Sequence, residues 1–336
     1  MRSHTHRRLI ALAVLALVTL ALIPLSVGFG VRNLGWTNVL SALGRDQLGT
    51  TAHLVVWELR LPRTLAALIC GGALGLAGAL MQVLTRNPLA DPGLLGVNGG
   101  AAMGVVLGIW GLGISSQTGL ILPALGGAGV AAALVFLLGG TPRGQGPDPM
   151  RLILAGAAVS ALFLALTWAI LILSRESLDV YRFWVLGAFS DIRMADLLSL
   201  WPAFAIALPL AAAAALLLDP LTLGDDTARA LGVRVGLARV ITILAIVGLC
   251  GTTVSLAGPI AFIGLVVPHL IRPLSGADVR LLALGSFLAG ALLAITADTL
   301  GRVLLPGREI EAGAMMALIG GPTLVLLVRL RRGVAL

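Results

Sequence analysis

Residues 61–84 of the chain read LPRTLAALICGGALGLAGALMQVL, a continuous apolar stretch. A helix rises 1.5 Å per residue, so about 20 apolar residues cross the roughly 30 Å hydrocarbon core of a bilayer. Glycines at positions 71, 72, 75 and 78 recur at helical spacing, and in lipid such small residues let neighbouring helices approach closely. This stretch therefore predicts a membrane-spanning helix packed tightly against others.

Similar apolar runs occur on both sides of this stretch. The predicted spans are 9–28, 61–84, 93–112, 118–139, 151–174, 196–218, 240–257, 258–272, 279–301 and 312–330. Hydrophobic residues make up 58% of the 336-residue chain and charged residues 11%, whereas a soluble domain carries about a quarter charged residues. We expect an all-α polytopic membrane protein, with residues 1–336 forming a single transmembrane domain of about ten helices.

Arginines flank both ends of the predicted bundle. Arg7 and Arg8 precede the first run, and Arg331 and Arg332 follow the last. The positive-inside rule places both termini in the cytoplasm. This requires an even number of crossings and favours ten over nine, although 258–272 is short for a full crossing. The basic flank of the first run also fits a signal peptide, but no small-residue cleavage site follows it, so we expect a retained anchor.

The composition excludes several kinds of chemistry. All 23 basic residues are arginine, and without lysine the chain can form neither a P-loop nor a Schiff base. If ATP drives this protein, another chain binds it. Cys70 and Cys250 lie in apolar runs without C-x-x-C spacing, which argues against a redox or metal site. We therefore expect no cofactor and no metal in this chain, and no nucleic-acid partner.

Two rival classes are disfavoured by the same reasoning. An ion-coupled secondary transporter needs carboxylates within the membrane, and only Asp298 clearly lies inside an apolar run. Asp298 precedes Arg302 by four residues, so an i,i+4 pair would neutralise it. An intramembrane hydrolase would need a serine and a histidine at depth in a frame such as G-x-S-x-G, and the sequence has none.

With both termini in the cytoplasm, the outer loops carry more arginine than the positive-inside rule predicts. Arg60, Arg63 and Arg302 are among these arginines. Two explanations stay open from charge alone. One is an acidic partner outside the membrane, and the other is pairing with local acids such as Glu58 and Asp179.

Three segments are unusual for loops of a membrane protein. Residues 86–99, with two prolines and several glycines, break the helix at the cytoplasmic boundary and predict a re-entrant or constriction element. Residues 219–239 combine mixed charge with a central glycine and predict short helices that fit a groove on another protein, the alternative being an ordinary solvated loop. Residues 258–272 place His269 and Arg272 one turn apart near the inner surface. A histidine at such a position more often has a structural role than a role in proton relay.

Four blocks of sequence are long enough to be specific: RLPR (60–63), NPLADPGLLGVN (87–98), ARALGVRV (228–235) and GPIAFIGLVVPHLIR (258–272). In this order and spacing they resemble the FecCD-type permease subunits of type II ABC importers, which take up ferric siderophores, haem and cobalamin. The resemblance extends from about residue 57 to residue 330. Within the family it is nearest to the ferric-siderophore permeases.

This resemblance implies a transporter subunit rather than an enzyme. Two permease subunits, identical or related, would surround a central path. A substrate-binding protein would dock outside, and two ATPase subunits inside would bind ATP and Mg²⁺. The expected substrate is a ferric siderophore, with cobalamin or haem as the alternative, and the expected location is the bacterial cytoplasmic membrane. Import would proceed by alternating access, without chemistry on the substrate.

Matching positions imply roles for individual residues. Arginines that pair with glutamates of the binding protein in the family match Arg60, Arg63 and Arg302. Cytoplasmic coupling helices that seat in the ATPase match residues 225–239, in particular Asp225, Thr227, Ala228, Arg229, Leu231, Gly232 and Arg234. The cytoplasmic gate matches Asn87, Leu89, Pro149 and Met150. The few polar residues of the fifth span indicate Ser160, Thr167 and Trp168 as part of the path.

The chain departs from the family just before its last span. Related permeases usually read Glu-Leu-Pro-Val-Gly there, whereas residues 309–313 read Glu-Ile-Glu-Ala-Gly. An acid at position 311 replaces the proline, and this alters the end of the helix that is expected to take part in docking.

Overall fold

The computed structural model describes residues 2–30, 35–44, 50–139, 148–305 and 307–332, and all regular structure in these residues is helical. The helices are α1 (Arg2–Gly28), α2 (Trp36–Leu43), α3 (Thr51–Leu54), α4 (Leu61–Leu84), α5 (Val97–Leu112), α6 (Gln117–Gly139), α7 (Pro149–Leu173), α8 (Arg175–Trp184), α9 (Met194–Leu221), α10 (Asp225–Ala230), α11 (Val235–Ala257), α12 (Ile263–Ser275), α13 (Val279–Val303) and α14 (Ala312–Arg332). A π-helical turn, Val55–Arg60, joins α3 to α4, and a 3₁₀ turn, Pro92–Leu95, precedes α5.

Seven helical stretches within these ranges are long and apolar enough to cross a membrane. They are α1, the continuous stretch 51–84 that contains α4, and α6, α7, α9, α11 and α13. Three shorter apolar helices, α5, α12 and α14, accompany them. The protein is therefore an all-α polytopic membrane protein, as the composition predicts. That each of the three shorter helices also crosses the bilayer stays a prediction.

Most of α4 is buried, and this helix packs against α13, α11 and α12. Its glycines make this packing close. Gly75 lies against Gly290 of α13, and Gly78 lies against the backbone of Gly264 in α12. A Cβ atom at Gly75 or Gly78 would collide with the neighbouring backbone. The glycine spacing in the sequence therefore predicts this contact surface correctly, since close approach of helices in lipid depends on small residues.

The predicted span 258–272 is not a continuous helix. α11 ends at Ala257, and Gly258 (φ 69°, ψ −177°) and Phe262 (φ 70°) take backbone conformations that do not fit a right-handed helix. α12 therefore begins only after Phe262, and its 13 residues extend about 20 Å, less than the hydrocarbon thickness. The irregular segment packs against the chain after α8, where Ala188 donates its N–H to the carbonyl of Ala257 (2.8 Å).

Candidate functional site

Two polar clusters lie at opposite ends of α4. The first, which we call the arginine cluster, contains Arg60, Arg63, Asp298, Arg302 and Glu309. Asp298 of α13 is completely buried. Arg63 donates Nε to both carboxylate oxygens of Asp298 (2.8 and 3.1 Å) and Nη1 to Oε2 of Glu309 (2.6 Å). Arg302 contacts Oδ2 of Asp298 at 3.1 Å, which confirms the predicted i,i+4 pair. One buried acid thus holds arginines from two helices.

The other donors of the arginine cluster bind the carboxyl end of α1. Arg302 donates Nη1 to the carbonyls of Ser26 (3.1 Å) and Phe29 (3.0 Å). Arg60 donates Nη1 to the carbonyl of Gly28 (2.8 Å). The last carbonyls of a helix have no partner within the helix, and a cation near them is favourable. These two arginines therefore supply the C-terminal caps of α1.

The predicted docking residues Arg60, Arg63 and Arg302 come together, but they are only 5%, 6% and 3% exposed. They form the floor of a cleft of about 580 Å³ that Glu309 and Glu311 also line. Of the two explanations that charge left open, pairing within the chain therefore holds for Arg63 and Arg302. Their role in docking stays a prediction, and it now requires a partner that reaches into the cleft.

Glu311, the acid in place of the family proline, lies on the wall of this cleft between α13 and α14. Burial raises the pKa of its carboxyl group. Arg63 and the hydroxyl of Ser190, which donates to Oε2 (3.3 Å), oppose this rise, and Glu309 and Asp191 add to it. Burial therefore favours the protonated form of the Glu311 carboxyl group.

The second cluster, which we call the loop cleft, lies where α4 ends. It is a cavity of about 270 Å³ lined by Asn87, Pro149 and Met150 of the predicted gate, together with Arg86, Asp225 and Arg239. Asn87 accepts the N–H of Leu89 (3.0 Å) and so shapes the turn after α4. Leu89 is 49% exposed and is not part of the lining. The structure thus brings three of the four predicted gate residues together.

The predicted coupling segment 225–239 is not a pair of separate helices. α10 covers only Asp225–Ala230, Gly232 (φ 83°) turns the chain, and the second predicted helix is the first turn of α11, which begins at Val235. The reason is that the residues from Val235 onward, with the exception of Arg239, are suited to continue directly into the apolar helix α11.

Side chains of the coupling segment divide into an exposed and a buried set. Ala228 is buried and anchors α10. Leu231 is 62% exposed. Leu223, which precedes α10 and is not among the coupling residues predicted from the sequence, is 67% exposed. The exposed set otherwise consists of Asp226, Thr227, Arg229, Ala230, Gly232, Arg234 and Leu237. A short helix flanked by exposed leucines offers the apolar surface that a protein groove binds.

The residues predicted for the translocation path lie on α7 but face different surroundings. Thr167 is completely buried, and its hydroxyl donates to Sδ of Met103 on α5 (3.7 Å). It therefore faces the helix packing and not an open surface of this chain. Ser160 is half-buried, and Trp168 is 50% exposed. The position of Thr167 corrects the prediction, because the apolar sequence of α7 does not show which side faces α5.

Some of the polar contacts in these clusters cannot be predicted from the sequence. Arg86, Arg239 and Glu309 each bind partners more than ten positions away. Arg63 and Glu309 are 246 positions apart in the chain, and Arg86 and Asp225 are 139 apart. No local spacing predicts such pairs.

Among the described residues, no group of three or more His, Cys, Asp and Glu side chains could hold a metal ion.

Long apolar helices, glycine-packed crossings and polar clusters at both ends of α4 define the class, which is that of multi-pass helical membrane proteins. The chain belongs to the FecCD transport family, whose model matches residues 17–330. It is 45% identical over 326 residues to the ferric enterobactin transport system permease protein FepD of Escherichia coli (strain K12), with 96% of each chain covered.

Two further proteins are similar to this chain over most of their length. The vitamin B12 import system permease protein BtuC of Salmonella typhi is 37% identical over 286 residues, covering 84% of this chain and 86% of its own. An inward-facing structure of a transporter assigned to the metal-chelate ABC type superimposes with a TM-score of 0.82 and 31% identity, covering 95% of this chain and 98% of the other. The protein is thus a multi-pass protein of the bacterial inner membrane in the ABC importer permease family.

Proposed function

We propose that this chain is the permease subunit of an ATP-driven importer that carries ferric siderophores across the cytoplasmic membrane. The observation that carries the proposal is the 45% identity to a ferric enterobactin permease over nearly the full length of both chains. Identity to the vitamin B12 permease is lower, at 37%, so cobalamin is the second candidate and haem the third.

The proposed importer contains two permease subunits, identical or related, two ATPase subunits and an extracytoplasmic binding protein. ATP and Mg²⁺ belong to the ATPase subunits, because this chain has no lysine and therefore no P-loop. With both termini in the cytoplasm, the arginine cluster faces outward and the loop cleft faces the ATPase. Alternating access then needs no catalytic residue in the permease.

Docking of the binding protein at the arginine cluster has a specific requirement. Asp298 is fully buried, whereas the side chain of Glu309 is 34% exposed. Glu309 is therefore the partner of Arg63 that an incoming carboxylate can replace from the cleft. Such an exchange conserves the number of charge-assisted hydrogen bonds on Arg63, so it costs less than leaving this buried arginine with a broken ion pair.

Reconstitution tests the proposed function. The permease, its ATPase and its binding protein are placed in proteoliposomes, and uptake of radiolabelled iron is measured with catecholate, hydroxamate and citrate chelates, alongside labelled cobalamin and haem. We expect ATP-dependent uptake of at least one ferric chelate. Uptake of cobalamin or haem alone would transfer the assignment to those branches, and transport without the ATPase would overturn the ATP-driven mechanism.

A further inference from the structure

The turn after α4 is connected to the coupling segment by a side chain in an uncommon backbone conformation. Arg86 has φ 52°, a region that residues with a Cβ atom rarely adopt. Its Nη2 donates to the carbonyl of Leu221, the last residue of α9 (3.0 Å), and to Oδ1 of Asp225, the first residue of α10 (2.9 Å). These two contacts place Arg86 between the gate turn and the coupling segment.

Asp225 uses its second carboxylate oxygen for another partner. Arg239, in the second turn of α11, donates Nη2 to Oδ2 of Asp225 at 2.6 Å. The side chains of Arg239 and Asp225 are 17% and 25% exposed, and that of Arg86 is 58% exposed. One carboxylate therefore joins the turn after α4, the start of α10 and the base of α11, an arrangement that we call the Asp225 bridge.

The Asp225 bridge lies next to the residues predicted to form the gate. Arg86, Asp225 and Arg239 line the loop cleft together with Asn87 and Met150. Asn87 directly follows Arg86 and shapes the turn that carries Leu89. Asp225, the first residue of α10, is thus linked to the gate turn through its ion pair with Arg86 and the single peptide bond from Arg86 to Asn87.

We propose that the Asp225 bridge transmits movement of α10 to the gate turn 86–89, which makes Asp225 and Arg86 positioning residues for gating. This inference rests on the proposed function in one respect, namely that an ATPase moves α10. Both ion pairs are partly exposed, so the coupling is moderate, and its strength must be measured by a double-mutant cycle.

The test uses a thiol probe at the gate. Leu89→Cys provides an exposed thiol, whereas the native Cys70 and Cys250 are buried and give little background. The permease–ATPase complex in proteoliposomes is labelled with a maleimide, with and without ATP. We expect ATP to change the labelling rate at position 89, and we expect Asp225→Asn to reduce this change about three- to tenfold, as loss of two partly exposed ion pairs implies.

A cycle of variants separates the bridge from a general structural effect. Arg86→Gln should give a reduction similar to that of Asp225→Asn, and the double variant should be no worse than either single one. Asp179→Asn is the control, because it also removes an aspartate that is paired with an arginine (Arg182, 3.2 Å), here in an exposed pair on α8. It should leave the response to ATP unchanged. Co-purification should show that Asp225→Asn still binds the ATPase.

Several results would overturn the inference. They are an ATP response in Asp225→Asn equal to that of the control, additive effects of the two single variants, loss of the ATPase from Asp225→Asn, and a labelling rate in the parent that ATP does not change. The thiol readout needs no substrate. If the parent complex responds to ATP but takes up no ferric chelate, the proposed function fails while the bridge stands. If uptake proceeds and labelling ignores Asp225→Asn, only the bridge fails.

Discussion

Asp298→Asn is the substitution that most directly tests the arginine cluster. The change keeps the size of the side chain and removes its charge. In the native chain the carboxylate of Asp298 accepts two hydrogen bonds from Arg63 and contacts Arg302 at 3.1 Å, with no exposure to solvent. The asparagine amide would keep one acceptor oxygen, and its NH₂ group would face the N–H donors of Arg63 and Arg302. Arg63 would then keep its ion pair with Glu309, whereas Arg302 would lose its contact with a carboxylate.

The magnitude follows from what remains in the cluster. Removing one partner of a buried ion pair costs about 3–5 kcal/mol. Arg63 retains Glu309, and Arg302 retains the carbonyls of Ser26 and Phe29. These contacts place the loss in free energy of unfolding near the lower end, at about 3 kcal/mol, which for a chain of 336 residues corresponds to a fall in melting temperature of roughly 4 °C. The measurement is thermal unfolding of the purified permease in detergent.

Two variants control this experiment. Asp179→Asn removes an exposed aspartate and should change stability by no more than about 0.5 kcal/mol. Combining Asp298→Asn with Arg63→Gln removes one of the two arginines that lose their contact with Asp298, so the double variant should be more stable than the sum of the single losses by about 1–3 kcal/mol. A melting temperature for Asp298→Asn within about 1 °C of the parent would refute the reasoning, as would strict additivity.

Three further predictions concern docking, packing and pH. Glu309→Gln frees Arg63 for an incoming carboxylate and should tighten binding of the binding protein about two- to tenfold in a surface-plasmon assay; unchanged or weaker binding would contradict the exchange. Gly78→Ala forces a Cβ atom into the backbone of Gly264 and should abolish the monodisperse peak in size-exclusion chromatography, whereas Gly126→Ala, in open space, should not. Burial raises the pKa of Glu311 in the folded state, so its ionisation costs stability at neutral pH and this cost vanishes as the pH falls below the pKa of the unfolded chain. Glu311→Gln should therefore raise the melting temperature at pH 7.5, with a gain that shrinks towards pH 4; a gain independent of pH would oppose this assignment.

Local patterns predict the parts of the structure that depend on neighbours in sequence. The apolar runs locate the long helices, because helix length and bilayer thickness are linked. The four-residue step from Asp298 to Arg302 predicts their contact, because such residues are adjacent on a helix surface. The glycines of α4 predict close packing for the same kind of reason. These patterns do not show which helices pack against each other.

The errors in prediction arise where tertiary contacts decide the conformation. The break at Gly258 and Phe262 lies inside an apolar run, so hydropathy gives no sign of it, whereas the packing of residues 184–188 against it does. The partnership of Arg63 with Glu309 depends on α4 and the segment before α14 meeting in space. Burial of Thr167 depends on the rotation of α7 about its axis. Each requires the assembled bundle.

The caps on α1 have a consequence for biosynthesis. α1 is translated before α13, yet one of the arginines that binds its terminal carbonyls is Arg302 of α13, 276 residues after Ser26. Until that residue is translated, the carbonyls at the end of the first helix lack this donor, in surroundings where unpaired backbone groups are costly. A product that stops before Arg302 would therefore keep the Arg60 cap of α1 but lack the Arg302 contacts, so this end of the helix is completed only after α13 has been translated.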